Sequence, residues 1–312
     1  MSFENPFAKN KEFKKTDFYP FILFLAEGRI KFPMFVWLFY DLIYIVNIED
    51  RATGMSKILT IANQKGGVGK TTTAVNLGAG LAVSEVDTLL IDMDPQANAT
   101  IGCGIDYRHI DKSIYEVLVE AIDINSTIVP TEIPFLDILP STSRLVGAEI
   151  EMVSMISREN ILRKNIEEIK KDYRYIIIDC PPSLGLLTIN SLSASHSIII
   201  PIQCEYYAME GLGQLLYTIR LVQRSLNIGL QIEGVLITMY DSRLRLSKEV
   251  TEQVRSHFKE KVYQTVIRRN VRLGESPSFG KPIILYDASC AGAQDYMNLV
   301  GEILKNDGQT IG

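Results

Sequence analysis

Three short strings in this chain hold residue types whose spacing suits the chemistry of a phosphate chain. The first is Asn63-Gln64-Lys65-Gly66-Gly67-Val68-Gly69-Lys70-Thr71-Thr72-Thr73. Small residues let successive backbone N–H groups converge on an anion. A helix starting at Lys70 would aim its positive end at the same point. Lys70 would neutralise the β- and γ-phosphates, and the Thr71 hydroxyl would face Mg²⁺. The usual spacing of such loops, GxxxxGK[ST], fails at its first position, where this chain has Gln64. Lys65 follows instead, five residues before Lys70, with two glycines after it.

The second string is Leu89-Leu90-Ile91-Asp92-Met93-Asp94-Pro95. Two carboxylates just past the carboxyl end of a strand lie where α/β sheets bind ligands. Phosphoryl transfer to water needs a group that orients the water and acids that hold Mg²⁺ through its water shell. Asp94 suits the first task, with Asp92 in support. The third string is Ile176-Ile177-Ile178-Asp179-Cys180-Pro181. An apolar strand ending in an acid is the Walker B arrangement, with Asp179 bonded to a Mg²⁺-bound water. Cys180 reads as a packed small residue.

These strings need a scaffold that brings several strand ends together. From Lys57 onward, short apolar runs alternate with amphipathic stretches. Strands are expected at 58–63, 87–91, 136–139, 173–178, 197–202 and 232–238. Helices are expected at 70–83, 113–120, 209–226, 246–258 and 288–305, with one long polar helix across 144–171. Continuous β-branched runs alternating with helices predict an α/β fold, a mostly parallel twisted sheet with helices on both faces.

Composition narrows the class. The chain has 312 residues, 46% hydrophobic and 22% charged, which fits a sizeable core rather than disorder. Cys103, Cys180, Cys204 and Cys290 are far apart, which excludes a disulfide framework and zinc-ligand spacing and favours a reducing compartment. The formal net charge of −5 hides a local excess: residues 243–281 are net +6. By itself such a stretch reads as a solvated helix face. Residues 1–54 hold nine of the 12 Phe and the only Trp, at net zero charge. The apolar run 32–48 is too short to span a bilayer, and no signal-peptide pattern precedes it. Met55-Ser56-Lys57 ahead of the first strand reads as a natural start. Two domains are therefore expected: an aromatic-rich extension at 1–54 outside the fold, and the folded domain at 55–312.

The first string resembles the deviant Walker A motif, KGGxGK[ST], and residues 55–305 resemble the ParA/Soj chromosome and plasmid partition ATPases throughout. The resemblance also runs through Pro201-Ile202-Gln203-Cys204-Glu205, Tyr240-Asp241-Ser242-Arg243 and Arg269-Asn270-Val271-Arg272. It implies a P-loop ATPase that hydrolyses ATP with Mg²⁺, weakly without its partner. ATP and Mg²⁺ would lie against Lys65, Gly66, Gly67, Val68, Gly69, Lys70, Thr71 and Thr72, with Asp94 and Asp179 beside the metal. Lys65 would reach across an ATP-dependent homodimer to the other subunit's phosphates, and Asp94 would position the attacking water. Arg268 and Asn270 fall in a segment that the resemblance places near the adenine. The family usually has Pro where this chain has Arg268.

Arg243 and Arg272 match two arginines that bind double-stranded DNA without sequence preference, which gives the basic stretch a reason. A ParB-type centromere-binding partner would stimulate hydrolysis, and the protein would be cytoplasmic and nucleoid-associated. Two alternatives share the nucleotide motifs. One is a MinD-like membrane-cycling ATPase, which needs a basic amphipathic C-terminal helix that 297–312 does not supply; no membrane contact is expected for 55–312. The other is a related ATPase that positions a protein cargo.

Overall fold

The computed structural model describes residues 56–205 and 210–308; the expectation for 1–54 lies outside them. Eight strands are described: β1 (Lys57–Ile61), β2 (Thr88–Asp92), β3 (Val129–Pro130), β4 (Leu136–Leu139), β5 (Tyr175–Asp179), β6 (Ser197–Gln203), β7 (Gln231–Tyr240) and β8 (Val262–Arg268). They form one sheet in the order β3-β4-β2-β5-β1-β6-β7-β8, parallel except for the β3–β4 pair at the edge. The helices are α1 (Lys70–Val83), α2 (Asn98–Gly102), α3 (Ile114–Val119), α4 (Leu145–Glu151), α5 (Ile161–Glu167), α6 (Leu186–Ala194), α7 (Glu210–Ser225), α8 (Arg245–Phe258), α9 (Val271–Glu275), α10 (Ile283–Tyr286) and α11 (Ala291–Asn306).

Strand side chains alternate between the two faces, so each apolar strand feeds two cores. Ile176 and Ile178 pack with Leu89, Ile91 and the helices α3 to α8. Tyr175 and Ile177 pack with Leu59, Ile61, Leu90 and the helices α1 and α11. Both faces of the central strands are therefore dry, as the unbroken apolar runs require. Helix α1 approaches α11 closely at Gly80, where a Cβ would lie 2.7 Å from Val300 Cγ2.

Besides short unread pieces (β3, α2, α6, α9 and α10), two further elements differ from the sequence reading. The helix expected across 144–171 is broken into α4 and α5, with 3₁₀ turns at Met152–Ser154 and Arg158–Asn160 between them. Met155 turns extended and Ser157 adopts a left-handed conformation, φ 55°. Val153 and Ile156 are exposed, so no continuous apolar stripe holds a long helix to the sheet. The strand β8 went unread because its apolar residues lie inside the basic stretch, bracketed by Lys259, Lys261 and Arg268. It extends the parallel sheet beyond β7.

Candidate nucleotide site and cationic edge

Parallel register brings the first three motifs level. Asp179 pairs with Ile61 at the end of β1 and with Asp92 at the end of β2. The glycine-rich loop, Asp94 and Asp179 therefore gather at the carboxyl edge of three neighbouring strands. The loop is held from several sides. Asn63 Nδ2 donates to the Pro201 carbonyl at 2.7 Å, and its Oδ1 accepts from the Lys65 N–H at 3.0 Å. The Thr238 hydroxyl donates to the Val68 carbonyl at 2.8 Å. Gly67 and Gly69 take φ 73° and 88°, which side-chain-bearing residues rarely adopt. A Cβ on Gly66 or Gly67 would meet nothing within 4 Å, so the concave side is open.

Lys70 opens α1 directly after Gly69 and is buried. Its Nζ donates to the Lys65 carbonyl at 3.0 Å. Burial lowers its pKa, against the pull of the Asp179 and Asp94 charges. Thr71 and Thr72 follow on the first turn, half-buried.

The acids have separate surroundings. Asp92 is fully buried and accepts from the Asp94 N–H at 3.0 Å, the Thr100 N–H at 2.8 Å and the Thr100 hydroxyl at 2.7 Å. Its carboxylate thus shapes the turn that presents Asp94. Asp94 in turn accepts from the Gln96 N–H at 2.9 Å. Asp179 is also fully buried, yet neither carboxylate oxygen has a hydrogen-bond partner. Burial first, then the Asp92 and Asp94 charges, raise its pKa well above the ordinary carboxylate value. The Thr71 hydroxyl and the Lys70 ammonium pull the other way. Among the described residues, no three His, Cys, Asp or Glu side chains converge as a metal cage. Mg²⁺ does not ask for one; it takes one or two carboxylates, a hydroxyl and phosphate oxygens. An orphaned buried carboxylate beside Thr71 and an open phosphate cradle fits that need. Cys180 is buried, with its thiol pushed up to about 12 by burial, which suits packing rather than reactivity.

Lys65 stands apart from this buried set. Its side chain is 35% exposed, and its Nζ pairs with Glu205 Oε2 at 2.6 Å. In the sequence, Glu205 stands only within the run 201–205 that carries the resemblance, with no role of its own, and Thr238 is not singled out. Glu205 follows a strand that ends in ordinary polar residues, and a loop-clamping threonine leaves no spacing signal.

The remaining expected residues lie at the other end of the sheet, where β7 and β8 finish. The loops that follow are tied by the Arg269 N–H donating to the Tyr240 carbonyl at 3.0 Å. Arg243 is 86% exposed and makes a two-pronged contact with Asp241, at 2.9 and 2.7 Å. Arg272, on α9, pairs with Glu275 at 2.9 Å and lies over the Tyr286 ring at 6.0 Å. Arg268 grips the buried Asp295 through Nε and Nη2, and its own N–H donates to the same carboxylate at 2.9 Å. Its guanidinium is thus committed to α11. Asn270 caps α9, its Oδ1 accepting from the Arg272 N–H at 2.8 Å.

Residues 56–232 match a family model described as an AAA domain. Over 252 residues the chain is 57% identical to the sporulation initiation inhibitor protein Soj of Bacillus subtilis, covering 81% of this chain and 100% of that one. It is 52% identical over 253 residues to the chromosome partitioning protein ParA of Myxococcus xanthus, covering 81% and 89%. The chain belongs to the ParA/Soj family of partition ATPases. The parallel sheet, with its glycine-rich loop between β1 and α1, is the P-loop ATPase architecture of that family. Cobyrinic acid a,c-diamide synthase from Mycobacterium smegmatis, solved with a bound ATP analogue and magnesium, shares the fold. It superposes at a TM-score of 0.72 with 35% identity, over 81% of the ParA/Soj-family chain described here and 96% of its own.

Among the described residues, no helix is long and apolar enough to cross a membrane. The last helix, α11, buries Tyr296, Leu299, Val300, Ile303 and Leu304 in the core, so its apolar face is already covered.

Proposed function

We propose that this chain is a Mg²⁺-dependent ATP hydrolase that dimerises on binding ATP, binds DNA without sequence preference and moves a chromosome or plasmid. The observation that carries the reading is the division of labour between two lysines on one loop. Lys70 is buried at the base of the cradle, where it serves the nucleotide bound to its own chain. Lys65 is partly exposed on the same loop, its ammonium paired with Glu205 rather than turned into the cradle, and serves a second chain. A lysine that completes a partner's site ties nucleotide binding to dimerisation.

In this reading Gly66, Gly67, Val68, Gly69, Lys70, Thr71 and Thr72 cradle the phosphates. Thr71 and Asp179 hold Mg²⁺, whose charge neutralises the phosphate oxygens when it is bound. Asp94, presented by the Asp92-centred turn, orients the attacking water and lies close to the metal. Asn270 and the backbone at Arg268 border the base. Arg243 and Arg272 contact DNA phosphates on the β7–β8 edge, and pairing two such edges in a dimer raises a weak contact to useful avidity. A ParB-type centromere-binding protein stimulates an otherwise slow hydrolysis. The protein works in the cytoplasm on the nucleoid. The covered face of α11 argues against a MinD-like membrane helix, and the exposed arginines on the β7–β8 edge favour DNA over a protein cargo.

The decisive experiment is Lys65→Ala. It is expected to bind fluorescent ATP as wild type does while failing to dimerise with ATP in sedimentation velocity. Normal ATP-dependent dimers in that variant would remove the cross-subunit role.

A further inference from the structure

The deviant half of the P-loop is clasped from one segment. Lys65 Nζ meets Glu205 Oε2 at 2.6 Å, and the other oxygen of Glu205 accepts from Gln203 Nε2 at 2.5 Å. One residue earlier in the loop, Gln64 Nε2 donates to Gln214 Oε1 on α7 at 2.5 Å. Gln64 stands where the common pattern has Gly, and Lys65 is the residue that marks the deviant pattern. Both are held by side chains from the end of β6 and the start of α7. The buried half of the loop is treated differently: Val68 is held through its carbonyl by Thr238, and Lys70 bonds to backbone.

We infer that Glu205 is a positioning residue for Lys65: it is the anion that this lysine holds within its own chain before it can hold a partner's phosphate. This rests on the cross-subunit reading of Lys65 above. The geometry gives the reason. A lysine has one compact ammonium, and a carboxylate at 2.6 Å occupies it. To reach a second subunit, Lys65 must give up Glu205. The exchange can work as a threshold only if the pair is weak. Both partners are substantially exposed, 35% and 49%, so water and salt screen the pair and it can be displaced by a multiply charged phosphate. Gln203 steadies Glu205 from the side away from Lys65, which keeps the carboxylate in place once the lysine has left.

The pair therefore raises the ATP and protein concentrations at which dimers form. Glu205→Gln keeps the shape and removes the charge. Exposed pairs of this kind correspond to roughly two- to fivefold in an equilibrium constant. Two pairs are broken per dimer, so its dissociation constant is expected to fall by about four- to twenty-five-fold. The test is sedimentation velocity with saturating ATP over a protein dilution series, on wild type, Glu205→Gln, Lys65→Ala and the double variant, at low and high salt.

Three results together support the latch. Glu205→Gln dimerises more tightly than wild type, the gain shrinks at high salt, and Glu205→Gln changes nothing in the Lys65→Ala background. A Glu205→Gln variant that dimerises as wild type does, or less tightly, overturns the latch while leaving Lys65 its role. If Lys65→Ala itself dimerises normally, the underlying reading fails instead. A tightening that persists in the double variant shows that Glu205 acts on the interface by another route, and this too overturns the proposal. Glu205 is exposed and makes no core contact, so loss of folding does not obscure the comparison.

Discussion

The centre of the sheet's carboxyl edge and its β7–β8 flank both concentrate charge, in opposite surroundings. At the centre, Asp92 and Asp179 are completely buried, Lys70 nearly so, and Asp179 has no hydrogen-bond partner at all. On the flank, Arg243 and Arg272 are open to water, and each already rests on an acid of its own loop. Buried charges interact strongly and are costly to leave unpaired; exposed ones are screened and easily exchanged. The centre is thus strained until its ligand arrives, while the flank is content without one. A site built the first way binds one ligand tightly and does chemistry on it. A surface built the second way binds weakly, reversibly and without selectivity, which suits the DNA contact proposed for it.

The comparison breaks most visibly at Asp94. Its backbone N–H donates to Asp92, and its carboxylate accepts from the Gln96 N–H. On the proposed reading, Asp94→Ala removes the group that orients water and leaves the phosphate cradle alone. Turnover is expected to fall by roughly 10²–10⁴-fold, the range for a positioned acid–base group, with ATP affinity nearly unchanged. A phosphate-release assay beside a nucleotide titration checks this. Wild-type turnover would move the chemistry elsewhere.

The next effect concerns stability. Burial and the neighbouring Asp92 and Asp94 charges raise the Asp179 pKa, so between its unfolded and folded values the folded chain keeps a proton that the unfolded chain has lost. Its contribution is therefore most favourable below about pH 4, the unfolded value, and is lost as pH rises through the folded value. Asp179→Asn removes the charge from the same space. Without nucleotide and in EDTA, this variant should match wild type near pH 4 and exceed it once pH rises past the folded value of Asp179. The expected gain is about 1–3 kcal/mol, read as a rise of several degrees in melting temperature. Asp241 on the flank has the opposite sign: Arg243 holds its carboxyl down to about 2, so any contribution is lost on acidification. Parallel melting curves for wild type and Asp179→Asn across the pH range would show that the centre is not strained.

Much of the centre was legible in the chain. Lys65, the glycines, Lys70 and Thr71 are contiguous, Asp179 ends one apolar run and Asp92 another, with Asp94 two residues on; a parallel sheet then has little choice but to bring those ends level. What escaped reading depends on contacts between distant segments. Glu205 meets Lys65 across 140 residues and Thr238 meets Val68 across 170, without any local spacing to announce them. Helix breaks at Met155 and Ser157 escaped for a related reason, because polar composition hides whether a helix has an apolar face to dock. Arg268 was visible as a departure from its family, but not its destination: Asp295 lies 27 residues further on.

The smallest effects, and the most diagnostic for the flank, belong to Arg243 and Arg272. Arg243 holds Asp241 and Arg272 holds Glu275, so a DNA phosphate replaces an existing acid at each position rather than filling a void. That exchange makes each contact modest, and replacing either arginine with Ala should weaken DNA binding only by several-fold near physiological salt. The salt dependence is sharper than the affinity. Each phosphate neutralised contributes about 0.9 to the slope of log affinity against log salt, so two lost contacts per dimer flatten it by roughly two units. The change should be the same for two unrelated duplexes, because phosphate carries no sequence. ATP binding and dimerisation should be untouched, since neither side chain reaches the central cradle's hydrogen bonds. Titrations of both duplexes over a salt series, with ATP and with ADP, separate the outcomes. Slopes equal to wild type in both variants would return residues 243–281 to a solvated face. Equal binding with ADP and ATP would uncouple the flank from the centre and break the proposed link between ATP-driven dimerisation and DNA binding.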